Sequence, residues 1–177
     1  MKLFNKVAIV GVGLIGGSIG LALKKQRLCE QVVGVSRHKK NLLLAKKKQA
    51  IDSGSLGLDI IKDADLVILA APVKTIIDLA PKISAIVRKD CLITDVGSTK
   101  EEIVSSLSKI FPNYLGSHPL AGSEKRGIIN AHPDIFKNSL CILTPTKNTS
   151  RAVLNKLNLF WRSLGARTVL ITPSFHD

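Results

Sequence analysis

The feature that most constrains the fold of this 177-residue chain is a glycine motif near its amino end. The segment KVAIVGVGLIGGSIGLALKKQ, residues 6–26, begins with an apolar run of strand length, turns on glycines and continues with apolar residues at helical spacing. At such a turn, the glycines of G-x-G-x-x-G let the backbone approach a pyrophosphate closely, and the N-terminus of the helix favours the bound anion. A glycine-rich turn without a ligand is the alternative. The pattern predicts a dinucleotide-binding turn whose contact residues are Gly11, Gly13, Leu14, Ile15 and Gly16.

Strand-like apolar runs and helical segments alternate along the rest of the chain. Further strands are predicted at QVVGVS, DLVILAAP, CLITDVGS, residues 114–116, residues 139–143 and RTVLIT, and helices at residues 39–49, VKTIIDLAPKISAIV with an interruption at Pro81, residues 100–110 and residues 150–163. Apolar strands separated by helices are typical of a parallel sheet that is covered on both faces. We therefore predict an α/β fold of the Rossmann-like, doubly wound type, with a mostly parallel sheet and helices on both faces.

Composition excludes several other classes of protein. The chain is 45% hydrophobic, which is enough for one sizeable core. It contains no apolar run of about 18 residues and no signal-like leader, so we expect a soluble, cytoplasmic protein with no membrane partner. Cys29, Cys91 and Cys141 are too widely spaced for a zinc site. We therefore expect three reduced thiols and no bound metal.

The charge of the chain is strongly positive. Lysine and arginine outnumber aspartate and glutamate by 26 to 13, for a net charge of +13. Such a surplus suits nucleic acid, anionic membranes or anionic small molecules. The lysines cluster on predicted helix surfaces with few aromatic residues between them for base stacking. We therefore expect a lysine-rich solvated surface and no nucleic-acid partner.

The end of the second predicted strand indicates which dinucleotide binds. About 20 residues beyond the glycine motif, an NAD site usually carries an acidic residue for the ribose hydroxyls. This chain has Ser36, Arg37 and His38 there, followed by two lysines. Ser36 can hydrogen-bond a ribose or phosphate oxygen, and Arg37 can pair with a 2′-phosphate. The run favours NADP over NAD as the cofactor, a solvated basic helix start being the alternative.

Ligands of open parallel sheets lie beyond the carboxyl ends of the strands. Ala71 and Pro72 follow the third strand, either as a flat turn under a nicotinamide ribose or as an ordinary turn into a helix. Ser98 follows the next strand within DVGSTK, as a ligand contact or as a helix N-cap with Glu101 completing a capping box. His118 follows the strand after that, in GSHPLAGSEKRG.

His118 has the surroundings that a catalytic base needs. Pro119 fixes the backbone after it, while Gly116 and Gly122 leave room for another molecule. A neutral imidazole can accept a proton from an alcohol while a hydride leaves for nicotinamide. The position therefore indicates the base of a dehydrogenase.

Taken together, the segments VGVGLIGGSIG, DVGSTK and GSHPLAGSEKRG resemble the prephenate and arogenate dehydrogenases of tyrosine biosynthesis. The resemblance covers the chain but only the amino-terminal nucleotide-binding domain of that family. It implies a dinucleotide domain over residues 1–172 and, at residues 173–177, the start of the link to an all-helical dimerisation domain that is absent here. It therefore implies a piece of a homodimeric enzyme. His176 and Asp177 match the start of the helical half, but no ordered role is expected for two terminal residues.

The same resemblance implies oxidative decarboxylation of prephenate or arogenate with hydride transfer to NADP or NAD. It places His118 at the 4-hydroxyl of the substrate as base or polariser. It makes Ser98 a second catalytic residue beside substrate and nicotinamide, and it puts Ser123 and Lys125 on the substrate side. A polar loop charged for solubility is the alternative for these last two residues.

The sequence leaves other functions open. The chain could be another NAD(P)-dependent dehydrogenase of the β-hydroxyacid dehydrogenase type, or a non-catalytic dinucleotide-binding module. The first alternative does not account for the histidine motif. The choice between prephenate and arogenate is also open, since the two differ only in a ketone or amino group on the side chain.

Overall fold

The sheet and helices are described from a computed structural model, which describes residues 1–122 and 124–177. The strands are β1 (Phe4–Val10), β2 (Cys29–Val35), β3 (Ser53–Ser55), β4 (Leu66–Leu69), β5 (Leu92–Asp95), β6 (Tyr114–Leu120), β7 (Leu140–Thr144) and β8 (Arg167–Leu170). The helices are α1 (Leu14–Lys25), α2 (Lys39–Lys47), α3 (Val73–Ser84), α4 (Glu101–Leu107), α5 (Arg151–Ser163) and α6 (Pro173–His176), with short 3₁₀ turns at Asp59–Ile61 and Ile128–Asn130.

The strands form one sheet in the order β3-β2-β1-β4-β5-β6-β7-β8. The chain moves from β1 to β2 and β3 on one side, and then returns to β4 on the other side of β1. Every pairing is parallel except that of β6 with β7. The reversal between β1 and β4 creates the switch point at which doubly wound sheets bind ligands. The predicted Rossmann-like fold is confirmed.

Apolar residues on both faces of the central strands hold the helices against the sheet. All four residues of β4 are 0% exposed, which explains why its sequence is apolar throughout. One core cluster joins the sheet to α1 and α5 and includes Ile19, Phe160 and Trp161. The other joins it to α3 and α4 through Ile76 and Ile103. The two clusters fix the strand ends from which the site is built.

The structure corrects the prediction that Pro81 interrupts a helix. α3 runs unbroken through this residue. Pro81 lies on the exposed face three residues before the helix ends, where the missing N–H removes a single hydrogen bond. An amphipathic helix held by buried Ile76, Ala80 and Ile83 tolerates that loss.

The structure also changes the setting of His118. The predicted strand at residues 114–116 continues to Leu120, because residues 116–120 pair antiparallel with β7 and His118 lies opposite Ile142. His118 therefore sits inside β6 rather than in a loop after it. The sequence did not predict this extension, because the polar Ser117 and the proline at position 119 do not fit the pattern of an apolar strand. β3, with the sequence Ser-Gly-Ser, was missed for the same reason.

Other expectations from composition concern thiols, metals and membranes. The three cysteines are free, and burial raises the pKa of the Cys29 thiol to about 11 and that of Cys91 to about 12. In the part of the chain that the structure describes, histidine, cysteine and acidic residues form no group of three or more suited to hold a metal ion. Within residues 1–122 and 124–177, no helix has both the length and the apolar character needed to cross a membrane.

Candidate active site

The turn between β1 and α1 is tightly packed except at Gly13. Gly11 has a φ of +105°, and a Cβ there would lie 2.2 Å from the Ala70 carbonyl oxygen. A Cβ on Gly16 would lie 2.0 Å from the Gly11 carbonyl oxygen, whereas at Gly13 it would meet no atom within 4 Å. α1 begins here without a side-chain cap and without an acidic residue in its first turn. The open space over unbonded helix amides fits the phosphates of a dinucleotide.

A cavity of about 260 Å³ opens on one side of this turn, over the end of β2. Its walls are largely apolar, which suits a purine ring. The cavity brings together seven of the residues predicted to bind the cofactor, namely Gly11, Gly13, Ser36, Arg37, His38, Ala71 and Pro72. Asn41, Leu56, Leu58 and Thr75, which the sequence analysis missed, also line it.

The polar end of this cavity is basic. The Ser36 hydroxyl accepts a hydrogen bond from the His38 N–H at 3.2 Å, which shapes the turn into α2. Arg37 is exposed at the rim, and the first turn of α2 contains no acidic residue. No carboxylate is found among the described residues that line the cavity. The site therefore lacks the usual acidic partner for ribose hydroxyls.

A second cavity, of about 420 Å³, lies on the other side of the turn, between the ends of β4 and β5. It shares Gly13, Ala70, Ala71 and Pro72 with the first cavity, so that the two adjoin across the switch point. Four further predicted site residues line it, namely Leu14, Ile15, Ser98 and Lys125. Arg126 and Gly127, which the sequence analysis missed, lie in the same wall. Two adjoining cavities across a phosphate turn have the layout of a dinucleotide site.

Two of the described site residues, Gly16 and His118, are not in the walls of either cavity. Gly16 is buried and serves the packing of the turn. His118 is half-buried in β6, where its Nδ1 lies 2.8 Å from Nε2 of His176. Ser123 lies outside the described residues.

The electrostatic surroundings keep His118 neutral near pH 7. Burial lowers the pKa of the imidazole, and the electrostatic effects of the neighbouring His176 and Lys100 lower it further. The negative charges of Asp95 and Asp177 act in the opposite direction but do not reverse the shift. A neutral ring has a nitrogen lone pair with which to accept a proton.

A buried ion pair supports the strand that carries His118. Lys100 and Asp95 are both 0% exposed, and their side chains pair directly. Lys100 Nζ also donates to the carbonyl oxygen of Ser117 at 2.8 Å. The Tyr114 hydroxyl donates to Asp95 at 2.8 Å, and burial followed by the charge of Asp95 raises the pKa of Tyr114 well above its usual value. Lys100 and Asp95 lie in DVGSTK, but nothing in the local pattern distinguishes a buried lysine from an exposed one.

The start of α4 differs from the interpretation of Ser98 as a helix cap. Ser98 is exposed, and the helix begins three residues later, at Glu101. The carboxylate of Asp177 accepts the main-chain N–H of Lys100 at 2.7 Å and that of Glu101 at 2.8 Å. The interpretation is wrong because a distant carboxylate occupies the cap, which leaves the Ser98 hydroxyl available to the second cavity.

The expectation that the terminal residues have no ordered role is also wrong. β8 pairs with β7 and carries the chain end back towards β6. The His176 side chain is only 6% exposed, and its Nδ1 lies 2.6 Å from Asp177 Oδ1. His176 and Asp177 therefore belong to the surroundings of His118.

Comparison with known proteins agrees with this geometry. The family model "Prephenate dehydrogenase, nucleotide-binding domain" matches residues 19–170. Prephenate dehydrogenase of Bacillus subtilis is 34% identical over 178 residues, which cover 98% of this chain and 48% of that protein. The chain thus spans about half the length of this curated relative.

Two solved structures have the same fold. Prephenate dehydrogenase of Aquifex aeolicus, in complex with hydroxyphenyl propionate and NAD⁺, superposes with a TM-score of 0.94 at 31% identity, over 98% of this chain and 62% of that one. Synechocystis arogenate dehydrogenase gives 0.92 at 31% identity, over 97% and 61% of the respective chains. The fold, the glycine turn between β1 and α1 and the two cavities at the switch point together define a Rossmann-like nucleotide-binding domain. Within that class, the chain belongs to the prephenate dehydrogenase family.

Replacing Lys100 with Met tests the support under β6. The variant leaves Asp95 buried without a cation, and removing one partner of a buried pair costs about 3 to 5 kcal/mol. We expect the free energy of unfolding in urea to fall by that amount. The matched control is Lys89→Met at an exposed lysine, which should change it by less than about 0.5 kcal/mol. Equal stabilities of the two variants would contradict the pairing.

Proposed function

We propose that this chain is the cofactor-binding and catalytic-base part of a dehydrogenase that oxidatively decarboxylates prephenate or arogenate in tyrosine biosynthesis. The observation that carries the proposal is a neutral, half-buried His118 on β6, next to the β5 end that brings Ser98 to a dinucleotide-shaped site. Family membership and the names of the relatives support the same reaction.

The proposed reaction balances with one base. When bound, the oxidised nicotinamide accepts the hydride from the ring carbon that bears the 4-hydroxyl. His118 takes the hydroxyl proton as that hydride leaves. The bond to the ring carboxylate then breaks, its electron pair enters the ring, and carbon dioxide departs. His118 returns its proton to the same oxygen, so the product is a phenol and no net proton is released.

The remaining site residues divide between cofactor and substrate. Gly11, Gly13, Leu14, Ile15 and Gly16 form the turn that we assign to the pyrophosphate, with Ala71 and Pro72 beneath the nicotinamide ribose. Ser98, which lines the second cavity, is assigned to the nicotinamide and the reacting part of the substrate. Lys125 in the same wall, and Ser123 outside the described residues, are assigned to the substrate side.

We propose NADP as the preferred cofactor, with NAD as the second candidate. The support is the basic end of the first cavity, where Ser36, Arg37 and His38 stand and no described carboxylate lines the wall. A 2′-phosphate pairs with a guanidinium in two parallel hydrogen bonds, whereas it would be repelled by the acidic residue of an NAD site.

The proposed setting of this domain follows the family. We assign residues 1–172 to the dinucleotide-binding domain and residues 173–177 to the start of a link to a helical domain. We further propose a homodimer in the cytoplasm, with a small-molecule substrate and no nucleic-acid or membrane partner.

Replacing His118 with Asn tests the proposed base. We expect turnover of prephenate or arogenate to fall by about 10²- to 10⁴-fold, the usual contribution of a positioned base. The dissociation constant for NADPH should stay within twofold, roughly, because His118 lines neither cavity. The assay follows the formation of reduced cofactor at 340 nm, roughly its absorbance maximum. It is run with this chain alone and with this chain fused to the part of the Bacillus subtilis relative that the chain does not cover.

The matched control for this experiment is His132→Asn, at an exposed histidine in the segment between β6 and β7. It should leave turnover unchanged. Retained turnover in the His118 variant would refute the assignment. Tight NADPH binding without oxidation of either substrate, in the wild-type fusion, would instead favour a non-catalytic dinucleotide-binding module.

Replacing Arg37 with Ala tests the preference for NADP. Losing a hydrogen bond to a charged group costs about 1.5 to 3 kcal/mol, so NADPH affinity should fall roughly ten- to hundredfold while NADH affinity stays the same. Lys47→Ala, at an exposed lysine in the last turn of α2, is the control and should affect neither cofactor. Wild-type protein with a clear preference for NAD would overturn the proposal.

A further inference from the structure

A continuous series of hydrogen bonds leads from His118 to the main chain at the start of α4. Nδ1 of His118 contacts Nε2 of His176 at 2.8 Å, and Nδ1 of His176 contacts Oδ1 of Asp177 at 2.6 Å. The Asp177 carboxylate in turn accepts the N–H groups of Lys100 and Glu101. His118 and His176 are 58 residues apart in sequence, so the fold alone brings them together.

The protonation state of Asp177 decides the direction of its hydrogen bond with His176, and through it that of the contact between the two imidazoles. Partial burial raises the pKa of Asp177, but hydrogen bonds from the N–H of Glu101, the ring of His176 and the N–H of Lys100 outweigh it, and the pKa lies below its usual value. An ionised carboxylate can only accept hydrogen bonds. The hydrogen shared with His176 therefore belongs to His176 Nδ1.

The tautomers of the two imidazoles follow from this assignment. At a pH where neither imidazole is charged, His176 with its hydrogen on Nδ1 has a lone pair on Nε2, so it accepts from His118. His118 then carries its hydrogen on Nδ1 and a lone pair on Nε2. A free histidine prefers the opposite tautomer, with the hydrogen on Nε2. The contact thus reverses the intrinsic preference of His118.

We propose that His176 and Asp177 are positioning residues that hold His118 in the Nδ1–H tautomer, so that Nε2 is the nitrogen that takes a proton. The catalytic consequence rests on the proposed function of His118 as the base. The tautomer itself does not, since it follows from the contacts within the chain.

The surrounding structure holds the residues of this hydrogen-bond series in place. The His176 side chain is 6% exposed, and its ring centroid lies 5.1 Å from that of His118 at an interplanar angle of 59°. Lys100 binds both ends of the series, because its N–H donates to Asp177 and its Nζ donates to the Ser117 carbonyl, one residue before His118. Movement of α6 relative to β6 would break at least one of these two contacts of Lys100.

The tautomer can be read directly from the ring nitrogens. The experiment records long-range ¹H–¹⁵N spectra of the 177-residue chain with labelled histidines, without substrate or cofactor, above pH 7 where His118 is neutral. His118 is assigned by its absence in His118→Asn. We expect a protonated, pyrrole-type shift at His118 Nδ1 and an unprotonated, pyridine-type shift at Nε2, with the same pattern in His176.

The informative variant is Asp177→Asn. The Glu101 N–H donates to Oδ2, whereas the Lys100 N–H reaches both oxygens, Oδ1 at 2.7 Å and Oδ2 at 3.0 Å. The amide oxygen of the new side chain therefore favours the Oδ2 position, where both N–H groups can still donate to it, and its NH₂ group faces His176. His176 would then carry its hydrogen on Nε2 and donate to His118, which would switch to the Nε2–H tautomer. Where the fusion protein turns over substrate, kcat should fall roughly hundredfold with little change in KM.

A second variant and a control keep the outcomes distinct. His176→Phe preserves a ring but removes the acceptor, so His118 should revert to the Nε2–H form that a free histidine prefers. His132→Gln should leave the His118 signals unchanged, and unshifted His132 signals in the other variants report a folded chain. An Nε2–H form of His118 in the wild type, or no change in Asp177→Asn, would overturn the proposal. Failure of the proposed enzyme function would leave these spectra as expected.

Discussion

The buried pair of Lys100 and Asp95 is the interaction on which the site depends. Taking two charges out of water costs several kcal/mol per ion, so such a pair persists only where further hydrogen bonds satisfy both partners. Here Tyr114 and the Gly97 N–H donate to Asp95, while Lys100 donates to the carbonyl of Ser117. The pair thereby ties the end of β5 to β6 and to the residue that precedes α4. This arrangement fixes the backbone beside His118, and burial is the main cause that lowers the pKa of the His118 ring.

The rest of the site follows from the topology of the sheet. Because the chain reverses direction between β1 and β4, the glycine turn and Ala71–Pro72 lie side by side at the switch point, where both line the two cavities. A cavity lies on either side of the turn, and we assign one to the nucleotide and the other to the reacting ring. Ser98 lines the second cavity after the end of β5, and His118 lies on the next strand. The proposed binding and chemistry therefore depend on the ends of β1, β4 and β5 and on β6.

Local sequence patterns predicted the features that local physics determines. Fully buried parallel strands such as β4 are apolar throughout, and the turn at Gly11 excludes any side chain. Both features can therefore be recognised from the sequence. The extension of β6 through Ser117 and Pro119 depends on pairing with β7, which no local pattern encodes. The contact of His118 with His176 depends on β8 returning the chain end to the site. Long-range pairing, rather than residue type, supplied what was missed.

The most direct test of this account locates the bound cofactor. Intermolecular nuclear Overhauser effects from the nicotinamide ring protons of bound NADPH should reach Ala71, Pro72 and Ser98, at the carboxyl edge of the sheet. The opposite edge offers a cavity of about 350 Å³ beside Asn5 and Asp65 as an alternative location. Contacts confined to that edge, or a nicotinamide ring in the cavity over Ser36, would contradict the proposed site.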